Sequence, residues 1–187
     1  GLPPVRIAVN ISPVQLRQAD FTTRFLNATS AWSTVTAGLD VEITEGALQG
    51  DSVNEISRLQ QLRTAGTRIA IDDFGTGYSS LSRLSSMPVD TLKIDRSFVK
   101  QLPGSAQGLT LVRTVISLAH AFAMTTVAEG VETRAQFDLL KESGCTHSQG
   151  YLHSRPVPAP QFAAMLSNGL DELTLPAQPV SGMAADT

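Results

Sequence analysis

Arg68-Ile69-Ala70-Ile71-Asp72-Asp73-Phe74-Gly75-Thr76-Gly77 is the stretch on which the fold turns. Its first five residues read as a strand, Ile69 and Ile71 on one face and Ala70 and Asp72 on the other, because side chains alternate across a strand. The glycine-rich end marks a turn. Upstream, Ser52 with Glu55 makes a capping box, Val53, Ile56, Leu59 and Leu62 form an apolar face, and Gly66 ends the helix. Helix followed by β-branched strand is the repeating unit of a parallel sheet.

The same alternation runs outward in both directions. Strands are expected near Val5–Ile11, Leu39–Thr44, Arg68–Asp72, Thr91–Asp95, Thr125–Glu129 and Thr146–Tyr151. Leu109, Val112, Ile116 and Ala119 mark one helix; Thr133 with Gln136 opens another that Gly144 stops. Phe162, Met165 and Leu166 mark a last helix, ended near Gly169. The class is α/β. Six such units do not fill an eight-stranded barrel, which needs about 250 residues. Either the sheet is open or two units lie elsewhere. Residues 1–170 are expected to form one domain and 171–187, rich in Ala and Pro, a disordered tail.

Composition excludes several classes. Of 187 residues 17 are acidic and 14 basic, a net charge of −3, which does not suit a DNA or RNA polymer as partner. With 42% hydrophobic and 17% charged residues the chain is expected to bury a core. No apolar run approaches the roughly 18 residues of a membrane span, and no signal-peptide pattern opens the chain. Cys145 is a lone cysteine, which fits a reducing, cytoplasmic compartment. Gly1-Leu2-Pro3-Pro4 reads like a linker entered mid-chain.

The ionisable residues carry the functional signal. On five strands the helix-facing phase is aliphatic, while the other phase places Asn10, Glu42, Asp72, Lys93 or Glu129 near the carboxyl end. Each alone has a plain explanation. Asp72-Asp73 before Gly75 suits an Asx turn, and Glu129 and Glu132 suit a helix N-terminus. Lys93 could be an ion-pair partner, and Asn10 a strand-end turn residue. Their coincidence in one phase at five strand ends is better explained by a shared site. Lone buried carboxylates are costly, so a group of them implies cations, and oxygen donors select hard ions such as Mg2+ or Mn2+. His120, His147 and His153 lack ligand spacing, and Gly75-x-Gly77 matches neither a P-loop nor a dinucleotide fingerprint.

Val9-Asn10-Ile11-Ser12, Glu42-Ile43-Thr44-Glu45, Asp72 through Leu81, Lys93-Ile94-Asp95, Val127 through Thr133 and Gln149-Gly150-Tyr151 follow one another in a familiar order. Together they resemble the EAL-domain cyclic-di-GMP phosphodiesterases of bacterial signalling. The resemblance implies a modified (β/α)8 TIM-type barrel, with about six of eight units in this chain, that cleaves cyclic di-GMP to linear pGpG. It implies Asn10, Glu42 and Asp72 as ligands of a first metal, and Asp72 with Asp73 at a second. Lys93 would position the attacking water or stabilise phosphate charge, and Glu129 would hold water or metal and is a candidate general base. Gln149 and Glu132 would complete and support the site, and Glu45 would anchor the loop Phe74–Ser79. A homodimer and upstream sensory or diguanylate-cyclase-type domains are implied as partners, in a cytoplasmic protein whose parent can be membrane-anchored.

One departure stands out. The Glu-Ala-Leu signature is absent from this sequence; its expected place is upstream of Gly1, with two further strands, so the chain alone is expected to be inactive. The rival reading is an inactive EAL domain that binds cyclic di-GMP as a receptor. Degenerate members lose carboxylates or the Asp-Asp loop, and here both remain. A purely structural barrel leaves the clustered acids unexplained.

Overall fold

Parallel pairing joins every strand to the next in sequence: the sheet order is β1-β2-β3-β4-β5-β6. The strands are β1 (Arg6–Asn10), β2 (Gly38–Thr44), β3 (Arg68–Phe74), β4 (Thr91–Ile94), β5 (Thr125–Ala128) and β6 (His147–Ser148). The helices are α1 (Pro13–Arg17), α2 (Phe21–Thr29), α3 (Val53–Thr64), α4 (Leu81–Ser86), α5 (Arg96–Val99), α6 (Ala106–Ala121), α7 (Arg134–Glu142) and α8 (Ala159–Asn168). This computed structural model describes residues 2–30, 38–46, 53–75 and 81–168. The expected tail, Ser52, Gly169 and residues 76–80 of the glycine loop lie outside the described residues.

A strand order that never reverses is the winding of a barrel, since right-handed crossovers then step around in one direction. A doubly wound sheet would reverse direction in the middle. Among the described residues β1 and β6 are the two edges, and no pairing joins them.

The aliphatic phase lies where expected. Val41, Ile43, Ile69, Ile71, Leu92 and Ile94 are fully buried, against Leu59 and Leu62 of α3, Val112, Ile116 and Ala119 of α6, and Leu140 of α7. Each such side chain contributes about 1.5–3 kcal/mol by leaving water. The edge strand β1 differs: Ile7 is 44% and Val9 36% exposed, so its helix-facing phase is largely uncovered by the described residues.

Two readings of the elements need correction. In α3 the buried face runs through Glu55, Leu59 and Leu62, while Val53 is exposed and Ile56 half-buried. The spacing of four then three selects one stripe, and Val53 and Ile56 fall beside it. Strand β6 is also shorter than Thr146–Tyr151. Gly150 lies so close to Val131 that a Cβ there would sit 2.2 Å from the Val131 carbonyl oxygen, and the chain turns away.

Capping chemistry sets the helix starts. In α7 the Gln136 N–H donates to Thr133 Oγ1 at 3.2 Å, and Gln136 Oε1 accepts from the Thr133 N–H at 3.0 Å. Ser12 and Gln15 repeat this box at α1, with Pro13 in the first turn. Gly66 (φ +90°) and Gly144 (φ +87°) close α3 and α7 in the left-handed conformation, which costs glycine little.

Candidate active site

The carboxyl ends of β2 to β5 bring Glu42, Asp72, Asp73, Lys93 and Glu129 together. A break in strand pairing does part of this work. The β3–β4 register shifts between Ile71 and Phe74, so an extra residue is accommodated where Asp72 and Asp73 stand. Such a bulge re-aims side chains that a regular pleat would send to opposite faces. Asp73 takes a left-handed backbone (φ +54°), and its N–H donates to Asp72 Oδ1 at 3.1 Å. That conformation is tolerated by aspartate better than by most residues. Asp72, Asp73 and Glu129 consequently each present an oxygen within 4.8 Å of the others.

Lys93 sits at the centre. Its Nζ lies 2.8 Å from Glu42 Oε2, 2.9 Å from Asp72 Oδ1 and 2.7 Å from Glu129 Oε1. Burial pulls the Lys93 pKa down, but the hydrogen bonds to Glu129, Glu42 and Asp72 outweigh it and hold the ammonium well above its ordinary value. Glu129 moves upward: burial, with the charges of Asp72 and Glu42, outweighs its bond to Lys93. Asp73 is also raised, by burial first and then by Asp72 and Asp95. Asp95 is lowered despite its burial, because Ser97 and Asp73 donate to it.

Asp95 is a residue to which sequence reasoning gives no role. It caps α5, accepting from the Ser97 N–H at 2.9 Å, and its carboxyl is hydrogen-bonded to that of Asp73. The one signal in the sequence is its place two residues after Lys93 at a strand end.

The remaining candidates are placed around this group. Asn10 ends β1 opposite Glu42 in register, and is exposed. Gln149 follows β6, its N–H donating to the Ala128 carbonyl at 2.8 Å. Beside it lies a cleft of about 370 Å3 lined by Gly150, Tyr151, Arg155 and Phe162, with the Arg155 guanidinium 4.4 Å above the Tyr151 ring. Glu45 is buried, and its Oε2 accepts from the Gly75 N–H at 3.1 Å, tying β2 to the turn after β3. Glu132 is exposed at the start of α7, where its N–H donates to Gln136 Oε1. Cys145 is half-buried and donates to the His147 carbonyl, and His153 pairs with Ser148 at 2.7 Å.

The donors suit a hard divalent cation: carboxylate oxygens of Asp72 and Asp73 on β3 and of Glu129 past β5, with Glu42 of β2 joined to them through Lys93 and paired in register with Asn10 of β1. Thiolate and imidazole are absent from the metal-competent group found among the described residues.

Comparison with known proteins agrees with this layout. The chain is 40% identical over 154 residues to the cyclic di-GMP phosphodiesterase NbdA of Pseudomonas aeruginosa, covering 82% of this chain and 20% of that protein. It thus spans about a fifth of the length of the curated relatives it matches. The crystal structure of the EAL domain of Mycobacterium smegmatis DcpA matches with a TM-score of 0.81 at 42% identity, over 87% of this chain and 73% of that one. Klebsiella pneumoniae BlrP1, solved with manganese and cyclic di-GMP, matches with a TM-score of 0.71 at 31% identity, over 81% of this chain and 39% of that one. The family model described as the EAL domain matches residues 1–156. A match over that much of the chain, on a sheet wound as a barrel with its acids at the strand ends, makes the chain a member of the EAL-domain family.

Proposed function

We propose that this chain is the greater part of a metal-dependent phosphodiesterase domain that opens cyclic di-GMP to linear pGpG. The observation that carries the reading is the set of acids gathered around one buried lysine: Lys93 within 2.9 Å of Glu42, Asp72 and Glu129, with Asp73 beside them. A receptor that had abandoned catalysis would be under no constraint to keep it.

Asn10, Glu42 and Asp72 would hold one Mg2+ or Mn2+, and Asp72 with Asp73 a second. Cations held there would polarise the phosphoryl oxygens and make a bound water more acidic. The residues themselves supply the rest. Lys93 offers fixed positive charge where the phosphoryl oxygens gain negative charge, a contribution that grows in a site of low dielectric. Glu129, whose carboxyl pKa is raised by burial and by the charges of Asp72 and Glu42, would accept a proton from the attacking water. Gln149 and the Arg155–Tyr151 stack line a cleft suited to a planar base, the guanidinium offering donors to its carbonyl edge. The named activity of NbdA and the bound ligand of BlrP1 support the choice of cyclic di-GMP.

Asp72→Asn in the complete domain tests the reading. Turnover should fall at least about 100-fold, the scale of losing one electrostatic stabiliser, with the thermal transition retained. Near-normal turnover at saturating Mg2+ would contradict the metal assignment.

A further inference from the structure

Lys93 makes three ion pairs at once, and their partners come from three different places in the sheet. Glu42 lies on β2, Asp72 on β3 and Glu129 one residue past β5, while Lys93 itself is on β4. The Lys93 side chain is 5% exposed and those of its partners 13–19%. The closest approaches of Lys93 Nζ are to Glu42 Oε2, Asp72 Oδ1 and Glu129 Oε1. Three half-buried carboxylates this close would repel strongly in a medium of low dielectric. Deleting Lys93, the one cation found among them in the described residues, leaves these charges uncompensated.

We propose that Lys93 is the built-in counter-ion of this site: it gathers the carboxylates of β2, β3 and the β5 end into one cage, holds the cage together in protein stripped of divalent cations, and competes with those cations for the same charge. The proposal rests on the metal-centre reading above and adds to it a role distinct from that of Lys93 toward phosphate. It makes Lys93 a positioning residue for the ligands, and it implies that the site is assembled before any metal arrives.

The test is thermal unfolding of the complete domain, wild type and Lys93→Met, in chelator and across a Mg2+ titration. In chelator the variant should melt roughly 10 °C lower, the scale expected when one partner of a buried ion pair is removed. Mg2+ should then raise its melting temperature by more than twice the wild-type gain. The half-effect should come at about tenfold lower Mg2+, since stabilisation by a ligand grows as its dissociation constant falls. Equal Mg2+ gains in both proteins would overturn the counter-ion role while leaving the metal centre standing. No response to Mg2+ in either would overturn the metal centre and the proposal with it. Should Lys93→Met fail to fold in chelator, the comparison moves to the Glu42→Gln background. There one repulsive charge is gone, and the double variant should fold in chelator; a double variant that still fails to fold would contradict the proposal.

Discussion

Glu129 gives the sharpest residue-scale prediction because its shift has a sign. Its folded-state pKa lies above the ordinary glutamate value of 4.5, so folding favours the protonated form. Stability from this group is present below 4.5 and lost as pH rises through the raised folded value. Glutamine cannot ionise. In chelator, Glu129→Gln should therefore melt a few degrees above wild type at neutral pH, and the gap should close as pH falls below the ordinary glutamate value. A melting difference that did not change with pH would show that ionisation of Glu129 is not the cause. Glu45 acts at the same scale but on the backbone. Its Oε2 holds the Gly75 N–H, just beyond the two aspartates. Glu45→Ala should cost about 1–3 kcal/mol for the buried donor left unmade, and should also lower Mg2+ affinity and turnover, read by titration and by rate. Unchanged affinity and rate would mean that this anchor does not reach the metal ligands.

Elements explain what is legible in the sequence and what is not. Alternation alone places Glu42, Asp72, Lys93 and Glu129 on one side of the sheet, because β-branched runs fix the phase of a strand. The bulge at Asp72–Asp73 is not legible: a strict period of two would set the two carboxylates on opposite faces, and only the register shift lets both serve one site. Asp95 escapes notice because its role comes from a neighbouring strand end, and the burial of Glu55 because a stripe on α3 can be drawn through more than one set of residues. Capping is the most dependable local signal, plain at Thr133 and less so at Ser12, where the same chemistry recurs. Thr133→Ala should cost about 1 kcal/mol, the usual worth of an N-cap side chain. It should do so with little effect on turnover, because α7 starts beyond Glu129 and contributes no proposed ligand. A loss of turnover without loss of stability would place α7 in the chemistry.

At the scale of the whole molecule, six strands wound in one direction leave β1 and β6 as open edges among the described residues, with Ile7 and Val9 substantially exposed. Edges of parallel strands with apolar faces need cover. Two further βα units, the number an eight-stranded barrel lacks, would supply that cover. The most direct measurement is therefore made on a chain extended upstream by those units. Cyclic di-GMP is incubated with it in saturating Mg2+ and, separately, in chelator, and the products are separated. Linear pGpG should form with Mg2+ and none in chelator. Tight binding of cyclic di-GMP with no pGpG under either condition would contradict the proposed hydrolysis and make the domain a receptor.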